Sequence, residues 1–383
     1  METPGRGPVA WAANGAVPAD PALPERGRSA PAARAAAAPW LRGAAFDLGL
    51  LALPWLPLWA WLVAAGGGLD APRGSALAVG FSAVFALEFT HRQYTYYVAY
   101  GDRRTFRAHA RGFAIAPLAV VAIALAFLAF APRRLEVAAI TALALWNVWH
   151  VVMQRFGLLR MYSAKAGGGL GSTATRGRDQ RLIWTLVLAE TALSFVLHRD
   201  AMADSAHGVR LMRVLGPVLG TAPEWIAAFG GAAALVVGAH WLRAEAAIPL
   251  PARELLPRWL FLGSTIGLLA VFVVSGPLVG FLCFTFAHAV EYLAFIHLFE
   301  KRRFDAPDPP GGFAGPVLRR VAWLGPALVA LHVAAYWLWI DPYRSLEIVW
   351  VYVAVTNVLH FLYDGWIWKV RKAAVRAPVV GAG

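Results

Sequence analysis

The chain has 383 residues, 59% of them hydrophobic and 15% charged, with 17 Trp and a formal net charge of +13; its mean hydropathy is +0.56. Several apolar runs approach or exceed about 18 residues, which excludes a soluble fold and predicts an all-α, polytopic membrane helix bundle. The positive charge lies between the apolar runs, so it reports topology rather than a nucleic-acid partner, and the single cysteine, Cys283, excludes a disulfide framework, a Cys-based zinc site and an iron–sulfur cluster.

Residues 1–43, rich in Ala, Pro, Gly and Arg, have almost no periodicity and read as a disordered cytoplasmic tail without the h-region and cleavage site of a signal peptide. A transmembrane domain over residues 44–370 follows, and residues 371–383 form a short C-terminal tail. Ten spans are predicted, over 44–64, 75–100, 112–131, 135–162, 180–198, 225–242, 257–275, 277–300, 321–340 and 345–369. Taking Arg92 with the inner side, the N-terminal tail, the connections after even-numbered spans and the C-terminal tail, together with the span ends that adjoin them, hold 28 of the 35 Lys and Arg. By the positive-inside rule both termini are cytoplasmic. The expected location is the bilayer of a bacterial inner membrane, crossed many times.

Five histidines, His91, His150, His288, His332 and His360, each lie in a different span, 9 to 12 residues from its charged cytoplasmic end. At a rise of about 1.5 Å per residue they share a depth of about 14 to 18 Å, near the middle of a hydrocarbon core of about 30 Å. Ionisable residues at that depth are rare and mark a functional site by default.

Four even-numbered spans add polar partners to these histidines. Span two has Glu88, His91 and Tyr94; span four has Asn147, His150 and Gln154; span eight has His288 and Glu291, with His297 nearer the cytoplasmic end; span ten has Asn357, His360, Tyr363 and Asp364. Residues three apart share a helix face. Imidazole and carboxylate without thiolate suit iron, zinc or manganese, and Glu-x-x-His on bundle helices recurs in di-iron and di-manganese proteins. The expected metal ligands are therefore Glu88, His91, His150, His288, Glu291 and His360. Asn147, Gln154, His297, His332, Asn357 and Asp364 are expected around them. Tyr94 and Tyr363, each three residues after a proposed ligand, are candidates to donate a proton. Arg92 and Arg155 lie beside the proposed ligands and are candidates to bind a substrate anion, or to snorkel to the surface.

A multispan protein whose histidines face one cytoplasm-proximal site resembles the histidine-rich integral-membrane non-heme iron enzymes, among them fatty-acid desaturases and hydroxylases and the bacterial membrane carotenoid-cleaving oxygenases. The resemblance covers the clusters of spans two, four, eight and ten. The His-x-x-x-His and His-x-x-His-His boxes of the desaturases do not occur here, so no residue role is carried over from them. The resemblance implies a membrane non-heme iron oxidoreductase, with one or two iron ions, a small or lipidic organic substrate and an electron donor. A zinc hydrolase, a proton- or ion-coupled transporter using the same layer, and a b-type heme protein are the alternatives.

Overall fold

The computed structural model describes residues 39–66, 75–200, 223–319, 324–343, 345–368 and 378. The expectations for the N-terminal tail, for most of the connection 199–224, for the start of span nine and for the C-terminal tail lie outside the described residues, apart from isolated positions. Among the described residues there is no strand, as expected for a chain that must satisfy its backbone inside a bilayer.

The first predicted span is not one straight helix. Residues Ala44–Phe46 and a π-helical turn, Asp47–Ala52, lead into α1 (Trp55–Gly66) through a bend of 55°. Pro54 stands at the break, where its ring and missing N–H prevent the helix from continuing. The carboxylate of Asp47 fixes the entry to this hook by accepting from the backbone N–H groups of Leu41 (2.6 Å) and Arg42 (3.1 Å).

Ten further helical segments follow as α2 (Ser75–Gly101), α3 (Arg103–Phe130), α4 (Arg133–Ala166), α5 (Thr173–Leu197), α6 (Pro223–Ala246), α7 (Ala252–Ser275), α8 (Pro277–Phe304), α9 (Ala314–Leu318), α10 (Leu324–Ala335) and α11 (Glu347–Ile367). A π-helical segment, Tyr336–Ile340, extends α10. Among the described residues seven helices are long and apolar enough to cross a membrane, eight if the bent pair before α2 counts as one span. The other two expected spans fall short for identifiable reasons. The second half of α2 carries Glu88, His91, Arg92 and Gln93, and the described part of α10 runs 12 residues before changing to the π form.

Burial separates core helices from lipid-facing ones. The most apolar stretch of α8 is 78% buried, whereas those of α3 and α6 are each 6% buried. A helix that is apolar all round and exposed all round has lipid as its solvent. The α8 helix begins at the turn Gly276-Pro277, where Gly276 takes φ +88°, a value that disfavours a side chain, and Pro277 fits the first helical position. It packs against α1, α2, α4 and α7, and α11 packs against α2. Polar residues on α2, α4, α8 and α11 are thereby brought face to face.

At one end of the bundle α4 to α7 are joined by buried charge. Arg258 on α7 donates to both oxygens of Asp179 on α5 (2.7 and 3.1 Å) and to both oxygens of Glu245 on α6 (2.8 and 3.2 Å). Arg160 on α4 donates to Asp179 at 2.7 Å, and Trp241 and Trp259 donate one bond each to the two carboxylates. Such a network is tolerated in an apolar interior only when nearly every donor and acceptor is matched.

In α3, Pro117 removes the N–H that would bond to the carbonyl of Phe113. Two tyrosines answer that carbonyl instead: Tyr100 donates to it at 2.9 Å and accepts from Tyr363 at 2.6 Å, with the Tyr363 hydroxyl 3.4 Å from the same carbonyl.

Candidate metal centre

Four helices each deliver one buried histidine to a common point. His360 on α11 is fully buried and central, with Nε2 3.0 Å from Nε2 of His91 on α2 and 3.1 Å from Nε2 of His150 on α4. His288 on α8 packs its ring against His91 and His150, with centroids 4.7 and 5.2 Å apart. Its Nδ1 is buried and has no hydrogen-bond partner among the described residues. Asp364, one turn after His360, places Oδ2 3.7 Å from Nε2 of both His150 and His360. Two triads with metal-ligand spacing result, His91–His288–His360 and His150–His360–Asp364, and within each the ligand atoms lie within 4.8 Å of one another.

A second set of side chains holds these groups in place. Thr95 on α2 sets Oγ1 2.6 Å from Nδ1 of His360 and donates to Oδ1 of Asp364 at 3.1 Å. Tyr292 on α8 donates to the same Oδ1 at 2.7 Å, and Trp368 Nε1 does so at 3.2 Å. Asp364 Oδ1 thus carries three donors, and Oδ2 is left facing the imidazoles. Glu88 turns Oε2 toward Nδ1 of His91 at 3.3 Å, close but not aligned as a hydrogen bond, and its Oε1 is buried with no hydrogen-bond partner among the described residues.

The structure places the other expected residues elsewhere. Glu291 belongs to neither histidine triad; it takes a 2.6 Å bond from Arg155, and Gln154 approaches its second oxygen at 3.4 Å. All three nitrogens of Arg155 are engaged, on Glu291, Thr265, Ser264 and the carbonyl of Ala52 freed at the break before α1. Arg92 donates to Oδ1 of Asn357 at 2.8 Å, while its Nε is buried without a hydrogen-bond partner among the described residues. Asn147 is half-buried one turn before His150.

Tyr94, Tyr363, His297 and His332 lie away from the triads. Tyr363 serves the Phe113 carbonyl. Nδ1 of His297 faces the carbonyl of Leu318 at 2.6 Å, and Nδ1 of His332 faces that of Leu328 at 2.7 Å. A carbonyl only accepts, so in both rings Nδ1 carries the proton and Nε2 is the acceptor. Tyr94 accordingly donates to His297 at 3.2 Å, and Tyr97 to His332 at 3.1 Å, tying α2 to α8 and α10.

Thr95, Tyr292 and Trp368 were not singled out as site residues from sequence. Each stands four residues after a residue of the cluster, His91, His288 and Asp364 respectively, and the i,i+4 relation was the signal available.

A cavity of about 510 Å³ reaches this centre. His150, Asp364 and Tyr292 line one part of it, and Gly171, Thr173 and Arg176, in the connection before α5 and its first turns, line another.

Comparison with known proteins finds no match: no family model, no curated protein and no solved structure is similar to this chain.

Proposed function

We propose that the chain is an integral-membrane metalloprotein, an oxidoreductase in which His91, His150, His288, His360 and Asp364 hold iron as one ion or two. The observation that carries this reading is the convergence of buried imidazole nitrogens and one carboxylate on His360 Nε2. Hydrogen bonding alone accounts for it poorly. A neutral imidazole nitrogen offers either one proton or one lone pair, yet His360 Nε2 faces two nitrogens and a carboxylate oxygen, and His288 Nδ1 has no hydrogen-bond partner among the described residues. With metal–nitrogen lengths of about 2.0 to 2.1 Å, two ligands of one ion lie about 3 to 4 Å apart, which the observed separations match. A cation there would also offset the cost of burying Asp364.

Bound iron with an open position supplies dioxygen activation. The protein's part is positioning. Thr95 accepts from Nδ1–H of His360, which leaves Nε2 free as a donor atom. Glu88 lies beside Nδ1 of His91 at 3.3 Å without a hydrogen bond to it, and Tyr292 and Trp368 fix the orientation of Asp364. Phe361 packs on His150 and His360 and helps to keep water out. Zinc or manganese fits the same donor set. A b-type heme does not have geometric support, because histidine nitrogens 3.0 and 3.1 Å apart leave no slot for a macrocycle between them.

The proposed topology has ten crossings, with both termini in the cytoplasm of a bacterial inner membrane, and rests on the partition of basic residues. A small or lipidic organic substrate and an electron donor belong to the same proposal. The test is oxygen uptake and the absorption spectrum of anaerobically reduced, purified protein on exposure to air, with His360→Ala as control. A metal-dependent spectral change and uptake above the control are expected. Stoichiometric zinc with neither response would overturn the oxidoreductase reading and leave the metal site standing.

A further inference from the structure

The cavity beside His150 and Asp364 has a polar end at the metal centre, apolar walls and a basic mouth. Residues of α4 from Trp149 to Ala164 line it, which at about 1.5 Å per residue makes it about 22 Å long. Met153, Phe156, Met161, Phe295 and Phe361 form the walls between the ends. Aromatic and thioether side chains give large apolar contact, and Met adapts to a flexible guest.

The mouth carries two arginines of different standing. Arg160 is spent on Asp179, on Thr175 and on the carbonyls of Leu170 and Ser172. Arg176 is exposed, lines the mouth, and has no hydrogen bond or ion pair from its side chain among the described residues. The carboxylates in the cavity wall, Glu291 and Asp364, lie on the α8 and α11 segments that carry the centre, and Glu291 is neutralised by Arg155. The field along the cavity therefore draws an anion to the mouth and keeps it there.

We infer that the cavity binds a single-chain amphiphile with an anionic head, the head at Arg176 and the far end of its apolar chain at His150 and Asp364. A volume of about 510 Å³ lies within the range of about 300 to 1,000 Å³ for sites that enclose one small molecule, too little for a two-chain phospholipid with its head group. The placement of the reacting end rests on the metal reading above, and the binding mode does not. If both hold, chemistry falls on carbons remote from the head.

Photolabelling of the full-length protein in nanodiscs, without regard to metal content, tests the binding mode. The probes are two C16 alkyl carboxylates, one with a diazirine at the chain end and one with it beside the carboxylate, and a chain-end C16 trimethylammonium. Peptide mapping should place the chain-end carboxylate probe on Met153, Phe361 and Gly365 and the head-end probe on residues 171–176, and the ammonium probe should leave both segments unlabelled. Arg176→Glu, a surface change, should cut cavity labelling by the carboxylates about tenfold, the loss of one charge-assisted contact. Gly157→Leu, in the cavity wall, should block the deep label and spare the one at the mouth. Labelling confined to the lipid-facing surfaces of α3 and α6, equal labelling by the ammonium probe, reversed ends, or no response to Arg176→Glu would overturn the inference. Deep labelling by a chain-end diazirine phosphatidylcholine would assign the cavity to membrane lipid and overturn the single-chain assignment. A cavity labelled as expected in protein that binds no metal would separate this inference from the metal reading.

Discussion

His91 Nε2 and His360 Nε2 lie 3.0 Å apart in the bundle interior, although 269 residues separate them in sequence. Two neutral imidazoles at that distance satisfy each other only if one nitrogen donates. His360 Nε2 has a second nitrogen, from His150, at 3.1 Å, and its own Nδ1 is already committed to Thr95. A metal ion removes the conflict, because His360 Nε2 then directs its lone pair at the ion and not at a neighbouring nitrogen.

Thr95→Val keeps the shape of the side chain and removes the oxygen that holds Nδ1 of His360. Loss of a group that orients a metal-bound histidine costs about 10- to 100-fold in metal affinity. Competition with a chelator of known affinity should show that loss for Thr95→Val and near-wild-type affinity for Thr95→Ser. Equal affinities for the three proteins would remove Thr95 from the site.

Arg155 and Glu291 form a buried pair at 2.6 Å, with side chains 2% and 0% exposed. Removing one partner of such a pair typically costs about 3 to 5 kcal/mol, whereas apolar replacement of both can be close to neutral. Arg155→Met alone should therefore lower the thermal midpoint far more than Arg155→Met with Glu291→Leu. Glu291→Gln should retain its metal, since its oxygens face Arg155 and Gln154 and not the imidazoles. Loss of metal from Glu291→Gln would return this carboxylate to the ligand set.

The tyrosine pair at α3 is expected to matter for stability alone. Removing both hydroxyls, Tyr100→Phe with Tyr363→Phe, leaves the Phe113 carbonyl unsatisfied, a cost of about 1 to 3 kcal/mol. Pro117→Ala restores a helical N–H to that carbonyl, so in its background the same double change should cost markedly less. A penalty independent of residue 117 would show that the tyrosines do not compensate for the proline.

The helical class and the convergence of His91, His150, His288 and His360 were legible from hydropathy and shared depth. The partners of the histidines were read at the wrong spacing in part. Glu88 and Glu291, three residues from a histidine, were expected as ligands, and Gln154 and Asp364 were expected around them with Asn147 and Asn357, whereas Thr95 and Tyr292, each four residues after a histidine, were not singled out. Both spacings share a helix face, and only the rotation of each helix against its neighbours decides between them, which one sequence does not encode locally. Tyr363 was misplaced for a different reason. Its partner is a carbonyl orphaned by Pro117, a long-range consequence of a proline in another helix. The burial of Arg160 and Arg258 with Asp179 and Glu245 depends on four helices meeting, which no local sequence pattern encodes.

The central claim, that the four histidines and Asp364 hold metal, is tested most directly by elemental analysis of protein purified without metal-chelating resin. Wild type should carry one or two equivalents of a first-row transition metal, with iron expected. His360→Ala, which removes the residue common to both triads, should carry less than a tenth of that at comparable membrane insertion. Wild type free of metal under iron-, zinc- and manganese-supplemented growth, or His360→Ala with undiminished content, would contradict the account.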